Sequence, residues 1–338
     1  MSKPWIVGML AGLMLLAACG DPSSEPGSAS APPSSGAGPT AQQRAAGTPG
    51  AGTGAGAATG STPGSGSASG ARAGAGAGTA PAGDRPRPTV LYLGDSLATE
   101  NQKVLGGLLR DEVRARYTSA PYSGTTLCDY LEGTAETSLV PPADKAAALV
   151  RRLRPDFVVL QFWGNAWGYT PCMDGVTYGR ARDAYLARYT ADARRLSDQI
   201  AGAVGGTRIV WVLQGPDPVT PDRVRRVNTV YERQARVSGD LLADAGRAVS
   251  PATARYAWTQ YLPCTAYERA HRPYCTRPGS GRTALHRDDD PLHFCLAPTT
   301  SKPRPCPVRS PGILRVTRVI TDTIADAVAD ASGAADRS

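Results

Sequence analysis

The sequence predicts an α/β domain built on a parallel sheet that helices cover on both faces. Short apolar runs typical of buried strands alternate with longer segments in which apolar residues recur at helical spacing. Several of the apolar runs stop at glycine or proline, as strands buried in a parallel sheet do. Because strands alternate with helices, we expect functional residues at the carboxyl ends of the strands.

The elements follow in order from these patterns. Strands are expected at residues 89–93, near 118–120, at 157–162 and 208–213, with a short last strand at 248–249. Helices are expected at residues 101–116, 143–153, 181–204 and 313–331, and in the segment 221–245, where Pro221 suits a first helical turn. A long loop rich in Pro and Cys is expected before the terminal helix.

The N-terminus has the pattern of an export signal. Lys3 precedes an apolar run of about a dozen residues, which is too short for a stable transmembrane helix but typical of a signal peptide. The run ends in Leu16-Ala17-Ala18-Cys19, which resembles the lipobox of bacterial lipoproteins. That resemblance implies that residues 1–18 are removed, that Cys19 receives a diacylglyceryl group, and that the protein is anchored to the outer face of the cell membrane. The alternative is an ordinary signal peptide with a chance cysteine, which would also export the chain.

Residues 19–88 are predicted to be a disordered tether. They consist mainly of Gly, Ala, Ser, Pro and Thr without a hydrophobic period, so they cannot bury enough apolar surface to offset their ordering entropy. The domain is then expected to span residues 89–333.

The charge pattern argues against nucleic-acid binding, and the cysteine count favours disulfides over a metal site. The net charge of +8 is mostly arginine, and no Lys/Arg patch with interleaved aromatic residues appears, so we expect no nucleic-acid partner. Without Cys19, six cysteines remain, and an even number in an exported chain suggests three disulfides. Of the fifteen possible pairings, proximity in the sequence favours Cys264–Cys275 and Cys295–Cys306, which leaves Cys128–Cys172. Metal binding is the alternative, but the chain has no Cys-x-x-Cys pair and only three histidines.

Four short motifs fall where the strands end or in the C-terminal loop. Ser96, in Gly-Asp-Ser, follows the first strand, Gly124 follows the candidate second strand, and Asn165, in Gly-Asn, follows the third. Asp290 stands three residues before His293, a spacing that lets a carboxylate orient an imidazole. His271 and His286 have no Asp at that spacing. Each motif alone is also ordinary turn chemistry or a surface charge cluster.

In this order, the four motifs resemble those of the SGNH hydrolase superfamily, also called GDSL lipases and esterases. The resemblance covers about residues 90–331 and implies a three-layer αβα sandwich with a flavodoxin-like sheet of five parallel strands. It implies Ser96 as nucleophile, His293 as general base and Asp290 as the acid that orients it. The backbone N–H groups of Ser96 and Gly124 and the side chain of Asn165 are implied as oxyanion donors.

The third motif departs from the pattern of the superfamily. It commonly reads Gly-x-Asn-Asp, whereas this chain has Trp163-Gly164-Asn165-Ala166, which keeps the donor asparagine but matches neither its register nor its acidic neighbour. Trp163 and Trp167 flank the asparagine and are candidates for a wall of the substrate pocket, with core packing as the alternative.

The expected function is that of a serine esterase that needs no metal or cofactor. Its substrate would be an acyl ester, short or O-acetyl, on a cell-envelope carbohydrate or lipid. An O-acyltransferase acting on an envelope polymer and a non-catalytic envelope-binding lipoprotein remain as alternatives.

Overall fold

The computed structural model describes residues 87–134, 136, 138–165, 170–298 and 304–335. They fall in the second of two units into which the chain divides, Ala77–Ser338. The predicted signal peptide with Cys19, the tether up to residue 86, and Trp167 lie outside the described residues.

The main sheet has five parallel strands in the part of the chain that the structure describes. They are β1 (Thr89–Gly94), β2 (Arg116–Ser119), β3 (Phe157–Gln161), β4 (Arg208–Val212) and β5 (Leu241–Ala243). Their order across the sheet is β2-β1-β3-β4-β5, and every neighbouring pair is parallel. This is the flavodoxin-like order.

Helices cover both faces of this sheet, which confirms the predicted three-layer αβα sandwich. The helices are α1 (Ser96–Glu112), α2 (Ala146–Leu153), α3 (Arg182–Ala203), α4 (Pro221–Ser238), α5 (Ala245–Ala248), α6 (Ala266–Ala270) and α7 (Pro311–Ala335). In β1, Val90 and Tyr92 pack in the core shared with α1 and α7, whereas Leu91 and Leu93 pack in the core shared with α2, α3 and α4. The alternation follows from the two-residue period of a strand.

The register of the two central strands brings two motifs to the same edge. Gly94, the last residue of β1, pairs with Gln161, the last residue of β3. A Cβ atom at Gly94 would lie 2.1 Å from the carbonyl oxygen of Gln161, so only glycine fits there. The residues that follow the two strands therefore emerge side by side.

The prediction of the last strand at residues 248–249 is wrong. The strand is β5, and Val249 instead follows the short helix α5. The helix predicted to reach residue 245 ends at Ser238, because Gly239 adopts a left-handed conformation with φ 75° and turns the chain into β5. Apolar residues continue after Gly239, so the sequence pattern did not show where the helix ends.

The segment predicted as a Pro- and Cys-rich loop contains a small antiparallel hairpin. Its strands are β6 (Tyr261–Pro263) and β7 (Arg282–Ala284). The described residues form three disulfides: Cys264–Cys275 and Cys295–Cys306, which sequence proximity favours, and Cys128–Cys172, the pair that then remains. Among the described residues, no helix has the length and apolar character needed to cross a membrane.

Candidate active site

Ser96 is the first residue of α1 and stands at the carboxyl end of β1. Helix α1 begins here rather than at residue 101, because Asp95 caps it: the carboxylate accepts the N–H of Leu97 at 3.0 Å, and the Asp95 carbonyl accepts the N–H of Thr99 at 2.9 Å. Ser96 is half-buried. Its backbone N–H belongs to the first turn of a long helix, where partial positive charge favours an anion.

The structure brings Asp290 and His293 to this serine. His293 Nε2 lies 3.0 Å from Ser96 Oγ, although 197 residues separate the two in the sequence. On the other side of the ring, Nδ1 lies 3.0 and 3.2 Å from the two carboxylate oxygens of Asp290. The Asp290 carboxylate also accepts the backbone N–H groups of Leu292 and His293, at 3.3 and 3.1 Å. These bonds stabilise the turn that contains both residues.

The charge environment of His293 favours its protonated form. Burial works to lower the pKa of the imidazole, but the hydrogen bond to Asp290 and the nearby charges of Glu100, Asp290 and Asp95 raise it above the ordinary value. The ring therefore faces carboxylates from its own turn and from the start of α1. A proton taken up by His293 is stabilised there.

Asp95 is fully buried and connects the start of α1 to the loop that follows β3. Its Oδ2 accepts the backbone N–H of Trp163 at 2.6 Å and the side-chain amide of Asn165 at 3.3 Å. Burial raises the pKa of this carboxyl group to about 6, although the N–H bonds from Trp163 and Leu97 work to lower it. The Gly-Asp-Ser motif thus orients the third motif as well as the serine.

Asn165 lies between the first and second motifs. Its amide nitrogen donates to the carbonyl of Thr125 at 3.0 Å, and Thr125 follows Gly124 directly. Gly124 adopts a left-handed conformation with φ 79° in the turn after β2, where a side chain would be strained. The structure therefore brings together the loops that carry all three predicted oxyanion donors.

Trp163 packs inside the protein. Its side chain belongs to the core between the sheet and α1 and α7, and only 5% of the residue is exposed. The guanidinium of Arg223 lies 3.6 Å from the centre of its ring. This is the core packing that the sequence left open as the alternative, and a contact of Trp163 with substrate stays a prediction.

Three residues that the sequence analysis missed hold the loop of Asn165. The Tyr185 hydroxyl donates to the Gly164 carbonyl at 2.7 Å, and Arg223 reaches the same oxygen at 3.3 Å. Arg223 is buried and forms an ion pair of 3.0 Å with buried Asp217. These residues come from α3, α4 and the loop after β4, so no local sequence signal could have indicated them.

Tyr130 supports the loop of Gly124 in a similar way. Its buried hydroxyl lies 2.9 and 2.8 Å from the carbonyl oxygens of Gly94 and Ala120, and its single proton serves one of them at a time. The hydroxyl oxygen accepts the N–H of Tyr122 at 3.0 Å. The end of β1 and the loop after β2 are joined at this side chain.

Glu100 was missed as well, although it lies one turn after Ser96 on α1. The predicted helix began at residue 101, so Glu100 was not placed on the face of the serine. Burial raises the pKa of its carboxyl group to about 7 against the charge of His293 and the N–H bonds of Phe294 and Cys295, which lower it. The spacing of four from Ser96 was the available signal.

The other two histidines have described hydrogen bonds and ring contacts with groups other than Ser96. His286 is buried, with Nδ1 3.0 Å from the carbonyl of His293, so it lies behind the turn. Its imidazole stacks against Trp258 and packs against Phe294. His271 is exposed and stacks on Tyr267.

One cluster of possible metal ligands occurs among the described residues: Cys128, Asp129 and Cys172. The two sulfurs are joined in a disulfide and are not thiolates. The Asp129 carboxylate accepts the backbone N–H groups of Thr126 and Leu139 at 2.9 and 2.8 Å. We therefore assign a structural role to this cluster.

Comparison with known proteins finds similarity only to solved structures. No protein-family model and no curated protein matches the chain. One similar structure is an alpha/beta hydrolase enzyme from the metagenome of Lake Arreo, Spain, with 16% identity and a TM-score of 0.41 over 70% of this chain and 94% of that chain. An acetylxylan esterase from Geobacillus stearothermophilus has 15% identity and a TM-score of 0.40 over the same shares. A lipase/acylhydrolase from Enterococcus faecalis has 14% identity and a TM-score of 0.40 over 71% of this chain and 96% of that chain. Identities and TM-scores this low assign no activity to this chain.

Proposed function

We propose that this protein is a serine esterase that forms an acyl-enzyme on Ser96. The observation that supports the proposal is the chain of contacts from Ser96 Oγ through His293 to the Asp290 carboxylate, with 3.0 Å at each step. A serine hydroxyl is a weak nucleophile unless a base takes its proton, and a base needs a third group to orient it. All three groups, the serine, the base and the carboxylate that orients it, meet at the carboxyl end of β1.

The first half of the reaction forms the acyl-enzyme. His293 Nε2 takes the proton of Ser96 as Oγ attacks the carbonyl carbon of the ester, and the carbonyl oxygen becomes an oxyanion. The protonated imidazole then gives its proton to the leaving alcohol, and the ester C–O bond breaks. Asp290 keeps the ring oriented and stabilises its positive charge throughout.

The oxyanion falls among donors that the neighbouring loops supply. We assign this role to the backbone N–H groups of Ser96 and Gly124 and to the side-chain amide of Asn165. Because that amide already donates to Thr125 at 3.0 Å and to Asp95 at 3.3 Å, the longer bond is the one it would share with the oxyanion. Each donor is worth about 3 kcal/mol in the transition state.

The second half of the reaction releases the acyl group. A water molecule or a sugar hydroxyl gives its proton to His293 and attacks the acyl carbon, and Ser96 leaves with the proton returned. We propose a short acyl or O-acetyl ester on an envelope carbohydrate or lipid as the substrate, because the N-terminal sequence is typical of an exported, lipid-anchored protein.

Replacement of the nucleophile tests the proposal. We expect Ser96→Ala to fold like the wild type, because it removes one half-buried hydroxyl at a strand end. It should lose hydrolysis of p-nitrophenyl esters and labelling by a fluorophosphonate. Ser123→Ala, which removes a hydroxyl from the turn that contains Gly124, is the control and should still be labelled. Ester turnover that persists in purified Ser96→Ala protein would exclude the mechanism.

Measurements across ester chain lengths, with and without a sugar acceptor, test the substrate class. We expect the shortest acyl chains to react fastest. Transfer to the sugar in preference to water would identify the protein as an O-acyltransferase.

A further inference from the structure

A second buried carboxylate lies beside the proposed catalytic residues. Glu100 is four residues after Ser96 on α1, which places it on the same side of the helix one turn later. Only 5% of the residue is exposed. A buried carboxylate is costly unless other groups satisfy it, so its partners indicate its role.

Those partners are the two residues that follow His293. The Glu100 carboxylate accepts the backbone N–H of Phe294 at 2.9 Å through Oε1 and that of Cys295 at 3.0 Å through Oε2. In its ionised form, which prevails above its pKa of about 7, the carboxylate accepts these N–H groups in charge-assisted bonds, which are roughly twice as strong as neutral ones. One side chain of the helix that begins with Ser96 therefore holds the main chain just after His293.

The backbone of Glu100 extends this contact to a second segment. Its carbonyl accepts the N–H of Cys306 at 3.1 Å, and Cys306 is joined to Cys295 by a disulfide. Glu100 thus contacts both ends of a covalent loop. Asp290 orients the ring of His293 from its own turn, but among the described contacts Glu100 joins the segment after His293 to α1.

We propose that Glu100 is a positioning residue, which fixes the main chain after His293 relative to Ser96 and, in its ionised form, adds a negative charge near the imidazole. The proposal rests on the proposed serine mechanism for its effect on catalysis. A misplacement of about 1 Å between reacting groups can cost about 100-fold in rate. The carboxylate also stabilises the imidazolium that forms when His293 accepts the serine proton.

Other charged groups also face His293, and their effects on its pKa must be distinguished from the effect of Glu100. Asp290 lies on the same turn, and Asp95 precedes α1. His286 lies behind the turn, and the pKa of its ring is lowered by burial and by the charge of His293, against the carbonyl of His293 and Asp290, which raise it. Because the chain has only three histidines, each can be followed separately by NMR.

The test is the titration of His293 in Glu100→Gln, with the resonance assigned from His293→Asn. Glutamine keeps the size of the side chain but removes the charge and one acceptor. We expect the pKa of His293 to fall and kcat to fall about 10- to 100-fold, with KM little changed. The matched control is Glu268→Gln, because Glu268 is also buried and accepts a backbone N–H, from Thr265 at 2.7 Å, but pairs with Arg315. The control should lose stability without moving the His293 titration.

The outcomes separate the two proposals. An unchanged pKa of His293 in folded Glu100→Gln would overturn the role of Glu100, whatever Ser96→Ala shows. Turnover that survives Ser96→Ala would overturn the serine mechanism, while the titration, which needs no substrate, would still decide the position and charge of Glu100. If Glu100→Gln does not fold, the amide resonances of Phe294 and Cys295 in the wild type test the proposal instead. They should shift together as Glu100 titrates, and amides that do not respond would contradict the proposal.

Discussion

Asp290 contacts His293 within a single turn of the chain. Its carboxylate reaches the ring of His293 and two backbone N–H groups of the same turn. The spacing of three residues is enough to bring these groups together, so this pair could be predicted from the sequence. The contact of His293 with Ser96 could be expected only from the family resemblance, because nothing local joins residues 197 apart.

We expect Asp290→Asn to impair catalysis and to move its pH dependence. His293 acts as a base only when neutral, so activity appears as the pH rises through its pKa, which Asp290 helps to raise above the ordinary value. Loss of that charge lowers the pKa of His293, and the acid limb of kcat/KM moves to lower pH. The amide can also hold the wrong tautomer, so kcat should fall by about 10³- to 10⁴-fold.

Steady-state kinetics from pH 5 to 9 measure both effects. Asp288→Asn is the control, because this exposed neighbour should leave both the rate and the pH profile unchanged. An acid limb that stays in place in Asp290→Asn would contradict the assignment of His293 as the base.

At the scale of elements, helix and strand periodicity predicted most of the sandwich. Strands β1, β3 and β4 and helix α3 were predicted within one or two residues, because buried strands and long helices have strong local patterns. Strand β5 was misplaced because it has only three residues, and the hairpin of β6 and β7 was missed because each of its strands is equally short. Such strands depend on their partners for hydrogen bonds, which no local pattern records.

The disulfide Cys128–Cys172 joins the loops after β2 and β3, and we expect its loss to affect catalysis as well as stability. By loop entropy over a separation of 44 residues, it contributes about 4 kcal/mol. In Cys128→Ser/Cys172→Ser, the loops of Gly124 and Asn165 keep the bond from Asn165 to Thr125 but lose the covalent link. We expect kcat to fall more than KM rises, at a temperature where circular dichroism shows a folded protein.

The matched control is Cys264→Ser/Cys275→Ser, which opens a disulfide of the β6–β7 segment, away from these loops. It should lower the Tm without lowering kcat. If the first double variant also keeps its kcat, the disulfide only stabilises the fold. Peptide mapping without reduction should first find Cys128 joined to Cys172.

At the scale of the whole molecule, the predicted lipid anchor and tether lie outside the described residues, so they remain predictions of the sequence. We expect the wild type to incorporate labelled palmitate and to stay with salt-washed membranes, because the lipobox-like segment ends at Cys19. Cys19→Ser should lose the label and leave the membrane fraction. Ser96→Ala, as the control, should keep both, and palmitate in Cys19→Ser would contradict the lipoprotein hypothesis.

The sequence alone determined the α/β class, the presentation of Ser96 at the end of β1 and the turn of Asp290 and His293, because these depend on residues a few positions apart. The tertiary structure decided which distant groups meet. It placed Glu100 against the segment after His293, Arg223 over the ring of Trp163, and Asn165 between Asp95 and Thr125. These contacts join different elements, and their distances follow from how the helices pack on the twisted sheet rather than from any local period.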